Sequence, residues 1–146
     1  MKPSQTHVDS DTLHVLIVED DISISHPMTI LLHHYGYKTR VATTLTQALV
    51  LVEAKPVVVI LDLQLPDGHG SKVLEKLMLM NSKSKTIVLS ADDAEQIKKK
   101  LNWLKPEAVF SKPLDFLAIL KRLRPLLPNP DKGSSNVPSK FLQAAA

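Results

Sequence analysis

The order of residues predicts an α/β protein, a doubly wound, five-stranded parallel sheet made from five successive strand–helix units. Two observations carry this. The runs LHVLIV (13–18), VVVIL (57–61) and TIVLS (86–90) are short, branched-aliphatic and continuous, as expected of parallel strands covered on both faces. Between them lie segments with apolar residues at helical spacing, and strands alternating with helices imply right-handed crossovers with helices on both faces of one sheet.

The elements follow in order. The first strand, 13–18, runs into Glu19-Asp20-Asp21. Met28, Leu31, Leu32 and Tyr35 then form a helical stripe that stops at Gly36. Pro27 leaves two possible starts for this helix. If it begins at Asp21, the proline removes a backbone hydrogen bond inside it; if Ser25 caps it, Pro27 falls in the tolerated first turn. YKTRVA (37–42) is a weaker strand, expected nearer an edge. Thr44, a good N-cap, precedes Leu45, Ala48, Leu49 and Val52 at helical spacing. The strand 57–61 meets Asp62 and a loop built on Pro66, Gly68 and Gly70. Gly70, Val73, Leu74 and Leu77 give a third helical face. The strand 86–90 ends in Ser90, and Ile97, Leu101 and Leu104 stripe a fourth helix over about 93–103, which Lys105-Pro106 ends early. EAVFS (107–111), a second edge candidate, leads into Lys112-Pro113. Phe116, Ile119, Leu120, Leu123 and Leu127 complete the last helix.

This divides the 146 residues into a polar lead-in (1–12), one domain (13–128) and a Pro-, Ser- and Gly-rich linker or tail (129–146). The terminal AAA is the kind of scar left where a longer protein has been cut. Without cysteine there is neither a disulfide framework nor a thiolate metal site. With no signal-peptide run and no apolar stretch of the roughly 20 residues a bilayer span needs, the expected place is the cytoplasm, away from membranes. A net charge of +3 is too small to indicate nucleic-acid binding, and KKK (98–100) and KRLR (121–124) read as solvated helix faces. His26, His33, His34 and His69 make no chelating set, since the adjacent pair points in different directions on a helix.

Polar residues gather where the apolar strands stop: Glu19-Asp20-Asp21, Asp62, Ser90 and Lys112-Pro113. In a parallel sheet those ends share the edge at which open α/β folds bind ligands. Each has an ordinary explanation, as a cap, a turn or a surface lysine. Together they suggest chemistry. Three crowded carboxylates repel one another unless a cation relieves them, and Mg2+ suits a few carboxylates, waters and a phosphoryl oxygen. Asp62 is then placed to act as a nucleophile on phosphorus, with Lys112 and Ser90 meeting the phosphoryl oxygens.

VLIVEDD (15–21), ILDLQLPDGHG (60–70), VLSA (88–91) and SKP (111–113), in this order on five strand–helix units, resemble the receiver domain of bacterial two-component response regulators, a flavodoxin-like fold. The resemblance covers about residues 13–127. It implies that Glu19 and Asp20 are the acidic pair and that Asp62 is phosphoacceptor and metal ligand. The backbone carbonyl of Gln64 would complete a Mg2+ site, with Ser90 and Lys112 following the phosphoryl group. It further implies a histidine kinase or histidine phosphotransfer protein as donor and no catalytic role beyond autophosphorylation and autodephosphorylation. Gln64 and Asp92 fall where relatives tune phosphate lifetime. Phosphorylation would repack the face of the fourth helix, fifth strand and fifth helix, a possible homodimer surface. DNA would be reached only through an output domain absent here; a stand-alone phosphorelay receiver and a pseudo-receiver acting without phosphorylation are the alternatives.

Two residues set this sequence apart. Where the family has Tyr or Phe three residues before the lysine, coupled to Ser90 as a switch, this chain has Val109, and Phe110 must point to the opposite face. Gln64 separates the chain from haloacid-dehalogenase-like phosphatases, which need an acid two residues after the nucleophile and place their acidic pair after the lysine.

Overall fold

The three continuous apolar runs occupy the middle of the sheet, where both faces are covered. The computed structural model describes residues 12–129; the lead-in up to residue 11 and the tail from residue 130, including the terminal alanines, lie outside the described residues. Strands β1 (Val15–Val18), β2 (Thr39–Ala42), β3 (Val58–Asp62), β4 (Lys85–Ser90) and β5 (Ala108–Ser111) pair in the order β2-β1-β3-β4-β5, all parallel. The two weaker sequence candidates are the edges, as expected. β2 is partly exposed, whereas every residue of β1 and β3 is buried.

Five helices cover the two faces: α1 (Ile22–His34), α2 (Leu45–Leu51), α3 (Ser71–Leu79), α4 (Ala94–Leu101) and α5 (Phe116–Leu123). Alternation along each strand divides the core. Leu16, Val18, Val59, Leu61, Val88 and Val109 pack with α2, α3 and α4, while Val15, Ile17, Val58, Ile60, Ile87 and Leu89 pack with α1 and α5. This two-sided burial is why these strands read as continuous apolar runs.

Local chemistry sets the helix ends. Asp21 caps α1 by accepting from the Ser23 N–H at 2.9 Å, which settles the two starts in favour of Asp21 and leaves Pro27 inside the helix. Thr44, Asp93 and Asp115 cap α2, α4 and α5 in the same way. The last turns of α2 and α4 tighten into 3-10 turns, 52–54 and 102–104. Each is followed by a lysine in the left-handed region, Lys55 (φ 55°) or Lys105 (φ 51°), and then a proline. The fourth helix gives way to a 3-10 turn after Leu101 and stops before Lys105-Pro106, with Lys105 in a conformation that glycine adopts at less cost.

Candidate functional site

The polar residues singled out at the strand ends lie on the carboxyl edge of the sheet. β1 delivers Glu19, whose N–H continues the ladder by donating to the Ala42 carbonyl at 3.0 Å. Asp62 is the last residue of β3, in register with Leu89, one residue before Ser90. The Lys112 N–H donates to the Ser90 carbonyl at 2.7 Å, so the lysine's backbone is pinned to the end of β4. Glu19, Asp62 and Ser90 are buried, whereas Asp20 is exposed.

One oxygen from each of Glu19, Asp20 and Asp62 lies within 4.8 Å of the others. Lys112 Nζ reaches Asp62 Oδ2 at 3.1 Å and Glu19 Oε1 at 3.2 Å. Asp62 Oδ1 accepts from the Gln64 N–H at 3.1 Å. One ammonium bonds two of the three carboxylates, Glu19 and Asp62, and Glu19 Oε2 is buried without any hydrogen-bond partner. That orphaned oxygen leaves a lone pair free to take a further cation. Electrostatics agree. Burial and the neighbouring Asp62 carboxylate push Glu19 up to about 8. Burial alone would also raise Asp62, but Glu19, the Gln64 N–H and Lys112 outweigh it and hold Asp62 below the usual carboxylate range. Burial would lower Lys112, yet its contacts with Asp62 and Glu19 hold the ammonium above its ordinary value. An all-oxygen, carboxylate-rich set of this kind fits a hard divalent cation such as Mg2+.

Gly70 explains why the loop after Asp62 can fold so tightly. Its N–H donates to the Leu63 carbonyl at 2.7 Å, and a Cβ there would sit 2.3 Å from the Asp62 carbonyl oxygen. No side chain fits in that gap. The loop also forms a two-residue antiparallel ribbon, Gln64–Leu65 against Gly68–His69, that hydrophobic patterning does not signal.

Two neighbours escape a reading of the sequence. Asp67 accepts from the backbone N–H groups of Leu45 and Thr46, at 2.6 and 3.0 Å, and from the Thr46 hydroxyl at 2.7 Å, fastening the loop to the start of α2. Its place in LPDG was the available signal. Ser111 donates to the Asp92 carbonyl at 3.1 Å, while Ser90 Oγ accepts from the Asp92 N–H at 3.0 Å. Val109 stands apart from the site, buried opposite Val88 in the core beneath α4, while Phe110 packs on the α1–α5 side. The two point to opposite faces, as the strand periodicity requires.

An acidic pair, a buried aspartate and a lysine on the carboxyl edge of a five-unit parallel sheet define a receiver module of two-component signalling. The chain belongs to the response regulator receiver domain family, which it matches over residues 15–124. It is 32% identical over 117 residues to the uncharacterized transcriptional regulatory protein YkoG of Bacillus subtilis, covering 78% of this chain and 50% of that one. It is also 32% identical over 125 residues to the transcriptional regulatory protein PmrA of Pectobacterium parmentieri, covering 84% and 55%. Among solved structures, the receiver domain of the Francisella response regulator 1452 superposes with a TM-score of 0.72 at 25% identity, covering 77% of this chain and 94% of that one. The chain spans about half the length of these two regulators. No helix among the described residues is long and apolar enough to cross a membrane.

Proposed function

We propose that this receiver domain takes a phosphoryl group onto Asp62 from a histidine kinase or histidine phosphotransfer protein. The observation that carries the reading is the buried Asp62 carboxylate, held ionised 3.1 Å from Lys112 beside the unpartnered oxygen of Glu19. An Asp62 oxygen attacks phosphorus, the phosphorus–nitrogen bond of the donor histidine breaks, and the imidazole leaves with its electron pair. Glu19, Asp20, Asp62 and the backbone carbonyl of Gln64 would hold Mg2+, which supplies charge neutralisation to the incoming phosphoryl group. Lys112, already on Asp62 and reached from the end of β5, is placed to follow a phosphoryl oxygen, and Ser90 offers a hydroxyl on the adjacent strand end.

The response passes to the α4–β5–α5 face and, in a longer regulator, to an output domain that controls transcription. Val109 lacks the ring that relatives use, and the Ser90–Asp92–Ser111 hydrogen bonds, beside the Lys112 N–H bond to the Ser90 carbonyl, link site and strand. The protein acts as a phosphoacceptor with no catalytic role beyond its own phosphorylation and dephosphorylation. Incubation with Mg2+ and acetyl phosphate, read by intact mass, tests this. One added phosphoryl group, absent in Asp62→Asn and when a chelator is present from the start, is expected; an unchanged mass would favour a pseudo-receiver, and continuous phosphate release from varied esters would favour a phosphatase.

A further inference from the structure

The edge of the sheet remote from Asp62 carries a second surface. There, two adjoining clefts of about 440 and 270 Å3 share Asn81, Ser82, Lys83 and Ser84 as a common wall. One extends to Lys55, Pro56 and Met80, the other to Met78, Leu104 and Lys105. These segments precede β3, β4 and β5, so the band lies a strand length, roughly 15 Å, from the acidic site.

Its chemistry is two-fold. The C-terminal turn of α3 presents Met78, Leu79 and Met80 in succession, with Leu79 88% exposed, and Trp103, on the 3-10 turn that α3 packs against, is 59% exposed. Met78 and Met80 line the clefts, with Leu79 and Trp103 exposed next to lining residues in the chain, and Lys55, Lys83, Lys85 and Lys105 line them as well, none in an ion pair among the described residues. No acid lines either cleft. Of the acids that flank these segments, Glu53 pairs with Lys76 at 3.2 Å and Glu107 with Arg122 at 3.3 Å. Methionines and an exposed tryptophan ringed by unpaired cations form a recognition surface, not the mixed charge of an idle face.

We infer that this band docks an acidic amphipathic polypeptide segment, apolar side chains entering the clefts and carboxylates meeting the four lysines. A second copy of the chain is disfavoured, because a self-complementary contact would set lysines against lysines. Nucleic acid has charge but no aliphatic groups for the methionine floor, and a bilayer surface does not fill concave clefts.

The single tryptophan makes the test direct. The full chain is titrated with a synthetic amphipathic peptide bearing Leu and Phe on one face and Glu on the other, following Trp103 emission and backbone amide shifts. A saturable blue shift is expected, with amide changes confined to about residues 55–57, 77–85 and 101–105. Lys83→Glu with Lys85→Glu should weaken binding about tenfold, from two reversed rim charges. Met78→Ser with Leu79→Ser should weaken it similarly, and Lys121→Glu on α5 should leave it unchanged. The inference is overturned if the peptide gives no saturable shift, if amide changes fall elsewhere, or if polyglutamate, an oligonucleotide or phosphatidylserine vesicles bind Trp103 equally well.

Discussion

The Ser111 hydroxyl donates to the Asp92 carbonyl at 3.1 Å, bridging the loop that follows β4 to the end of β5. Because Ser90 Oγ already accepts from the Asp92 N–H, movement of Ser90 toward a phosphoryl group would pull on β5 without any aromatic switch. Ser111→Ala removes one exposed hydrogen bond, worth about 1 kcal/mol. Phosphorylation of Asp62 should proceed at the parental rate, while the accompanying amide shifts in β5 and α4 shrink. Full-sized shifts in the variant would show that the signal takes another route.

Glu19 gives the site a pH signature when no divalent cation is present. Its carboxyl is held up at about 8, against 4.5 in an unfolded chain, so the folded protein binds that proton more tightly. Its contribution to stability is full below about pH 4.5 and is lost as pH rises toward 8. With chelator, the Tm of the parent should fall relative to Glu19→Gln between pH 5 and 8, and Mg2+ should close the gap by replacing the proton. Parallel curves would remove Glu19 as the source.

His14 predicts the opposite limb. Its Nδ1 accepts from the Lys38 N–H at 2.9 Å, and burial together with Lys38 holds the ring below the ordinary value of 6.5. The unfolded chain therefore takes up the proton first. His14 supports the fold above pH 6.5 and stops doing so as pH falls through the lower folded value. The parent should lose more Tm than His14→Gln on going from pH 7.5 to 5, measured by thermal denaturation.

Gly70→Ala places a methyl group against the Asp62 carbonyl oxygen, 2.3 Å away and part of the backbone. The loop must shift, so a loss of about 1–3 kcal/mol in urea unfolding is expected, with slower phosphorylation. A variant as stable and as fast as the parent would contradict this packing.

Much of this was legible in the residue order. Strands buried on both faces are written as unbroken aliphatic runs, and Glu19, Asp20, Asp62 and Ser90 stand at the ends of those runs, with Lys112 after the weaker edge strand, so locating the strands located the edge. Val109 and Phe110 were assigned to opposite faces by alternation alone. Less visible were contacts between residues far apart in sequence: Asp67 fastening the start of α2, and Ser111 reaching Asp92. Such pairs depend on how loops meet, which periodicity does not encode. Pro27 was undecidable because Asp21 and Ser25 are both competent caps; the Ser23 N–H, bonded to Asp21, decides it. The ribbon 64–69 is too short to show a period of two.

Peptide mapping after acetyl phosphate treatment tests the central claim most directly. The protein is phosphorylated with Mg2+ and reduced with borohydride, which converts an acyl phosphate to an alcohol, and is then digested and sequenced by mass spectrometry. Reduction at Asp62 alone, absent in Asp62→Asn and in chelator-treated protein, is the result expected. Unmodified Asp62, or label that persists in Asp62→Asn, would contradict the assignment of Asp62 as phosphoacceptor.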